Sequence, residues 1–286
     1  MTQTILQRLN ALLPKRWRRG AALVTVVRLS GVIGYSTPLS PGMSLSSVSK
    51  TLERAFSVKK AKAVAIVINS PGGSPVQSHL IFQRIRSLAE EHKKKVFVFV
   101  EDVAASGGYM IACAGDEIFA DPSSITGSIG VVSASFGFNK LIAKIGVERR
   151  VYTAGEKKML LDPFQPENAD DVKRLKAAQK EIHAMFIALV KERRGKKLNA
   201  PEKTLFSGEF WAGGESEKLG LVDGIGELRG ILRARYGKKA VIQLVSPPAS
   251  WFGRRAPGIG NSFGNDWAAS LISAIEARFF WSRYGL

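Results

Sequence analysis

The chain has 286 residues, 45% of them hydrophobic, which is enough to bury one large core or two small ones. The formal net charge is +18. The single cysteine, Cys113, excludes an internal disulfide, and with only three histidines a structural zinc site is not expected. The 28 glycines and 12 prolines are typical of an α/β protein with many tight connections, not of a disordered chain.

Residues 1–21 form a basic amphipathic segment. The first 30 residues contain Lys and Arg but no acid, and apolar side chains precede the basic cluster at helical spacing. Such a segment either contacts an anionic membrane surface or is a short surface helix, and both interpretations remain open. The apolar run Ala21–Val27 is far shorter than the roughly 20 residues of a membrane span. We therefore expect a cytoplasmic protein, with peripheral contact at the inner face of the cytoplasmic membrane as an added hypothesis.

Residues 22–245 alternate between predicted strands and helices, which favours a parallel α/β sheet. Continuous apolar, β-branched runs indicate strands that are buried on both faces. In chain order, the predicted elements are a strand Val24–Val32, a helix Leu45–Ala55 with Ser44 as N-cap, a strand Ala63–Asn69, a helix ending near Glu91, a strand Lys95–Val100, a short helix ending at Cys113, strands Glu117–Ala120 and Ile129–Val132, a helix Phe138–Ile145, a strand Glu148–Thr153, a helix Ala169–Arg194 and a strand Val241–Val245.

Residues 246–286 differ in composition from the preceding domain. Residues 249–265 are rich in Gly and Ser, as a linker would be, and Trp267–Tyr284 is predicted to be an amphipathic C-terminal helix. The apolar face of this helix must be buried somewhere. Packing on this domain or on a sister subunit is favoured over membrane contact.

Two glycine-rich turns are the strongest functional signal. Asn69-Ser70-Pro71-Gly72-Gly73 ends one predicted buried strand, and Ala104-Ala105-Ser106-Gly107-Gly108 ends the next. The carboxyl ends of neighbouring parallel strands form the binding crevice of an open α/β sheet, so the two turns should meet there. Glycine lets backbone N–H groups approach a ligand closely, and one N–H from each turn would make an oxyanion hole. Ser106 is then the candidate nucleophile.

A nucleophilic serine needs a base. The sequence context places none of the three histidines at a strand end or in a glycine-rich loop, so a Ser-His-Asp arrangement is not expected. A lysine acts as base only when neutral, and burial must lower its pKa from the ordinary value of ~10.4. In the segment that begins at Gly155, Lys158 is followed by three apolar residues and is therefore the candidate base. Its neighbour Lys157 is the competitor, and the chemistry alone does not separate them.

At these residues the sequence resembles the signal peptide peptidase A family, also called protease IV, of serine–lysine peptidases. The resemblance covers roughly residues 22–245 and rests on motifs that occur in the family's order. They are the PGG turn Pro71–Gly73, the ASGGY turn Ala105–Tyr109, the TGSIG segment Thr126–Gly130, the G-x-x-K segment Gly155–Lys158 and the GLVD segment Gly220–Asp223.

The resemblance implies Ser106 as nucleophile, Lys158 as base, and the N–H groups of Gly73 and Gly107 as oxyanion donors. It also implies that Ser128 hydrogen-bonds the lysine and orients it. The implied fold is an α/β, Clp/crotonase-like spiral of ββα units with a C-terminal helical extension. In single-length family members the serine and lysine meet across a subunit boundary, so a homo-oligomer with a shared site is expected.

The predicted function is a serine endopeptidase that hydrolyses peptides, including cleaved signal peptides or other membrane-derived peptides, through an acyl-enzyme and without cofactor or metal. No nucleic-acid partner is expected despite the charge, because no recognisable binding module is present. Two departures from the family stand out: no N-terminal anchor is visible, and Glu156-Lys157 precede the lysine where the family often has Tyr. The alternatives are a crotonase-like acyl-CoA hydratase or thioesterase and a non-catalytic membrane-associated scaffold.

Overall fold

A computed structural model describes residues 21–34, 42–155, 157–246 and 278–285. The predicted N-terminal segment, the linker and most of the predicted C-terminal helix lie outside the described residues. Residues 278–282, at the end of that predicted helix, are helical. In the ranges that the structure describes, no helix combines the length and apolar content that a membrane span requires.

One mixed sheet organises the chain. Its strands are β1 (Leu23–Ser30), β2 (Ala61–Ser70), β3 (Lys95–Ala105), β4 (Glu117–Ala120), β5 (Ile125–Gly127), β6 (Phe210–Ala212), β7 (Gly224–Ile225) and β8 (Val241–Leu244). The order is β6-β5-β3-β2-β1-β8, and all pairs are parallel except β5–β6. Strand β3 is the longest and changes partner along its length: Phe97–Val100 pairs with β4, and Val103–Ala105 pairs with β5.

Helices cover both faces of this sheet. They are α1 (Leu45–Phe56), α2 (Pro75–Glu91), α3 (Gly107–Ala112), α4 (Asn139–Lys144), α5 (Ala169–Arg194), α6 (Glu202–Leu205), α7 (Gly213–Lys218) and α8 (Leu228–Tyr236). Alternate residues of β2 belong to different clusters: Ile66 packs with α1, α2 and α5 on one face, whereas Ala65 packs with Leu232 of α8 on the other. This double burial explains why the central strands are continuous apolar runs.

Most predicted elements match the structure, including the N-cap Ser44 and the full extent of α5. Two predicted strands are wrong. Ile129–Val132 is not a strand; the pairing segment lies earlier, at Ile125–Gly127, between β3 and β6. Glu148–Thr153 is exposed and irregular, because no strand among the described residues pairs with it.

Residues 131–168, called the arm here, differ from the rest of the described domain. Apart from α4, the described residues of the arm form no helix or strand, and almost all of them are exposed. It holds itself together locally, through ring contacts of Phe164 and Phe138 and an ion pair of Arg149 with Asp162. Its exposed large apolar side chains include Val132, Phe136, Leu141, Ile145, Val147, Tyr152 and Leu160.

Candidate active site

Ser106 lies at the junction of β3 and α3 in a strained backbone conformation. Its φ of 53° and ψ of −122° fall in a region that residues other than glycine rarely adopt. Two backbone hydrogen bonds fix the turn: the Ser106 N–H donates to Gly127 O at 2.8 Å, and the Ser106 carbonyl accepts from Met110 N–H at 3.0 Å. The side chain is half-buried at the carboxyl end of the sheet. A serine held in this way resembles the exposed nucleophile of a strand-to-helix elbow.

The PGG turn is in direct contact with the Ser106 turn, as the sequence predicted. Gly72 has a φ of 102°, and a Cβ at this position would lie 2.9 Å from Ser106 Cβ and 3.0 Å from the Gly107 nitrogen. Only glycine permits such a close approach. Hydrogen bonds of 2.8 Å from Ile33 N–H to Gly72 O and from Ser74 N–H to Ile33 O hold the turn in place.

Two backbone N–H groups at this contact are available to a ligand. Among the hydrogen bonds of the described residues, none is donated by the N–H of Gly73 or of Gly107. The Ser106 N–H, by contrast, is already bonded to Gly127. The arrangement is therefore chemically able to stabilise an oxyanion with one donor from each turn, which is the role predicted for Gly73 and Gly107.

Asn69 is a positioning residue that the motif analysis did not single out. The register of β2 against β3 shifts between Ile68 and Ser70, where the two turns begin. Asn69 fills the gap: its Oδ1 accepts from Val103 N–H at 3.3 Å, and its Nδ2 donates to Asp102 at 2.5 Å. The sequence signal for this role was the position of Asn69, a polar residue at the end of an otherwise apolar strand.

Ser128, the predicted lysine-orienting residue, lies next to the nucleophile turn. It follows β5, has a φ of 51° and is only 6% exposed. Its N–H donates to Glu209 O at 2.6 Å. Its Oγ accepts a hydrogen bond from the Tyr284 hydroxyl at 3.3 Å. The hydroxyl that was expected to hold the lysine is thus in contact with the C-terminal end of the chain.

Lys158 makes no described contact with Ser106 in the single chain. It is exposed on the arm, and its one described hydrogen bond is donated by its backbone N–H to Gly155 O at 3.2 Å. Its neighbour Lys157 is exposed as well. The histidines take no part in the site: His79 stacks on Phe82, His92 stacks on Phe56, and His183 bonds to the Ile129 carbonyl at 3.0 Å.

A buried polar network supports the nucleophile helix from below. The Tyr109 hydroxyl donates to Leu221 O at 2.7 Å, joining the ASGGY and GLVD motifs. Arg194, which is 3% exposed, donates to Gly220 O and pairs with Asp223 at 2.7 Å. Burial alone raises the pKa of Asp223, but the hydrogen bonds from Arg194 and Lys197 outweigh it and hold that pKa below its usual value.

Cys113 belongs to the same buried region. Burial raises the pKa of its thiol to about 12, with Arg194 and Arg193 opposing the shift, so the thiol stays protonated and unreactive near neutral pH. Below the nucleophile helix the structure therefore combines an unreactive buried thiol with the buried Arg194–Asp223 ion pair.

Comparison with known proteins identifies the family. The family model described as "Peptidase family S49" matches residues 89–241, more than half of the chain. The chain belongs to peptidase family S49. A second family model, "ClpP-like SDH-type serine proteinase", matches residues 1–146. With the mostly parallel sheet described above, this match confirms the predicted Clp-like α/β fold. The S49 match and the similarity to a protease named SPPA confirm the predicted signal peptide peptidase A family.

Curated relatives extend beyond this chain. It is 58% identical over 287 residues to a protein named Na(+)/H(+) antiporter NhaA from Brucella abortus, covering 97% of this chain and 39% of that protein. It is 33% identical over 267 residues to the chloroplastic serine protease SPPA of Arabidopsis thaliana, covering 87% of this chain and 39% of that protein. The chain thus spans about two fifths of the length of these relatives.

Among solved structures, a 1510-N membrane-bound stomatin-specific protease in complex with a substrate peptide aligns with a TM-score of 0.49 at 18% identity. The alignment covers 89% of this chain and 99% of that one.

Proposed function

We propose that this chain is a serine endopeptidase in which Ser106 is the nucleophile and Lys158 the general base. Its substrates are extended peptides, including cleaved signal peptides and other membrane-derived peptides. The observation that carries the proposal is the strained Ser106 at the contact of two glycine turns, beside the free N–H groups of Gly73 and Gly107. Membership of the S49 family supports the same chemistry. No metal or organic cofactor takes part.

The reaction proceeds through an acyl-enzyme. Neutral Lys158 takes the proton from the Ser106 hydroxyl, and Ser106 Oγ attacks the scissile carbonyl carbon. The N–H groups of Gly73 and Gly107 stabilise the oxyanion, each donor contributing roughly 3 kcal/mol to the transition state. The protonated lysine gives its proton to the leaving amine. Water, deprotonated by the same lysine, then hydrolyses the ester and regenerates Ser106.

We infer that Ser106 and Lys158 of one site come from different copies of the chain. Two observations support this: Lys158 is exposed and makes no described contact with Ser106, and the arm that carries it exposes several large apolar side chains. Such surfaces mark protein–protein contacts. Burial of the arm against a neighbour would supply the apolar surroundings that a neutral lysine needs.

We do not propose antiporter activity for this chain, because it matches only 39% of the relative with that name and the same stretch matches a peptidase family.

For location we propose the cytoplasm, with peripheral contact of the basic N-terminal residues with anionic lipid. Co-sedimentation with anionic vesicles at low salt tests that contact, and recovery of all the protein in the supernatant would contradict it.

The nucleophile assignment is tested with Ser106→Ala and, as a matched control, Ser57→Ala at the exposed C-terminal end of α1. We expect Ser106→Ala to lower peptide hydrolysis by roughly 10⁴–10⁶-fold and to abolish labelling by a serine-directed probe. Ser57→Ala should keep both, and mass spectrometry should locate the adduct on Ser106. Hydrolysis that survives Ser106→Ala would favour crotonase-like thioester chemistry instead.

A further inference from the structure

The last described residues of the chain, 278–285, pack on the sheet edge beside the proposed nucleophile. Tyr284 is only 8% exposed. It forms one apolar cluster with Val103 and Ala105, against which Trp281 and Ile125 also pack. Its ring meets Phe210 edge-on at 5.2 Å. Tyr284 therefore occupies a formed aromatic pocket.

This pocket is part of the proposed active site. Val103 and Ala105 lie on the same face of β3, and Ala105 directly precedes Ser106. The opposite face of β3 at Ala104 belongs to the main core, so the tail covers a surface that the rest of the described chain leaves open. The Trp281 and Tyr284 side chains are three residues apart and therefore lie on one side of a helical turn.

The contact with Ser128 gives the docked tail a chemical consequence. Ser128 is 6% exposed, and its Oγ accepts a hydrogen bond from the Tyr284 hydroxyl at 3.3 Å. On the proposed mechanism this is the hydroxyl that orients the base. A docked Tyr284 therefore competes with Lys158 for the same Ser128 oxygen.

We propose that the pocket formed by Val103, Ala105, Ile125, Phe210 and Ser128 is a binding site for aromatic peptide segments, and that residues 278–285 of this chain are its resident ligand. The tail is a reversible, self-supplied inhibitor, and release of Trp281 and Tyr284 opens Ser128 to the lysine. Binding of an aromatic segment in the pocket is argued from the packing of Trp281 and Tyr284 alone. Inhibition of peptide hydrolysis by that segment rests on the proposed function.

The test uses the full chain and three variants. The double variant Trp281→Ala with Tyr284→Ala removes both pocket side chains. Phe279→Ala is the matched control, since Phe279 lies in the same segment with 63% of its side chain exposed. Tyr284→Phe keeps the ring and removes only the hydroxyl that meets Ser128. The probe for binding is a fluorescently labelled peptide of residues 278–286, followed by anisotropy.

We expect the double variant to hydrolyse a peptide substrate about tenfold faster than wild type or more, because loss of two buried aromatic contacts shifts the population to the open state. Phe279→Ala should match wild type, and Tyr284→Phe should fall between them. The labelled peptide should bind the double variant, inhibit it competitively and bind wild type weakly. The same peptide with both aromatic positions changed to Ala should do neither.

An unchanged rate in a folded double variant, together with no binding of the labelled peptide, would overturn the proposal. If neither wild type nor any variant hydrolyses peptides, the proposed function is wrong. Binding of the labelled peptide to the double variant but not to wild type would still support the pocket. Circular dichroism melts of each variant, with Tyr284→Phe as the mild substitution, show whether a result reflects folding.

Discussion

The nucleophile turn and the arm are two regions of the same domain with opposite physical character. The turn around Ser106 is fixed by its own chain, through β3, the PGG turn, the bond to Gly127 and the network beneath Tyr109. The arm that carries Lys158 is exposed along its length and presents apolar side chains to solvent. On the proposed function, the half of the site around Ser106 is built within one chain, and the half around Lys158 is completed against a neighbouring copy. The four predictions below follow from that contrast.

The largest effect is expected at the proposed base. Lys158→Ala should lower the rate of peptide hydrolysis by roughly 10²–10⁴-fold, the contribution typical of general acid–base catalysis. Lys157→Ala is the matched control and should change the rate much less, because its side chain is not the proposed proton acceptor. Neither substitution should alter the melting temperature of the chain. Equal rates for the two variants would refute the assignment of Lys158.

The next effect concerns the folded core, where Arg194 is compared with an arginine on the arm. Arg194→Ala leaves Asp223 buried without its main partner, which should lower the free energy of unfolding by about 3 kcal/mol or more. Arg150→Ala removes an exposed pair with Glu148 and should cost less than about 0.5 kcal/mol. Urea titrations measure both. Similar losses for the two variants would mean that the arm is as tightly integrated as the core.

A smaller effect is expected from pH. The folded-state pKa of Asp223 is held below its ordinary value, so its ion pair stabilises the chain fully above about pH 3.9 and loses that contribution as the pH falls through the folded pKa. The difference in free energy of unfolding between wild type and Asp223→Asn should therefore shrink on acidification. Urea titrations between neutral pH and pH 3 give this difference, and a constant gap would contradict the assignment.

The sequence predicted the core half of this comparison well. Periodicity and β-branched runs located β2 and β3. The rule that the carboxyl ends of parallel strands lie at one edge of the sheet then predicted the contact between the Gly72 and Ser106 turns. The strand error at Ile129–Val132 arose because both that segment and Ile125–Gly127 are short and apolar. Which of the two segments becomes a strand depends on hydrogen bonding with β3 and β6, and a single sequence does not reveal those partners.

The arm was harder to predict for a physical reason. Met159 and Leu160 follow Lys158 and indicated burial, yet they are 38% and 43% exposed in the single chain. An apolar run has the same pattern whether it is buried in its own core or against another molecule. The contact of Tyr284 with Ser128 could not be predicted either, because an amphipathic pattern shows that a helix has an apolar face but not which surface that face packs against.

The central claim is that one site takes Ser106 from one copy and Lys158 from another, and mixing two inactive variants tests it most directly. Ser106→Ala and Lys158→Ala are each expected to be inactive alone. After subunit exchange, about a quarter of the sites in a ring of head-to-tail contacts should contain both an intact serine and an intact lysine, and hydrolysis should return to that level. Mixed oligomers that form but stay inactive would contradict the account.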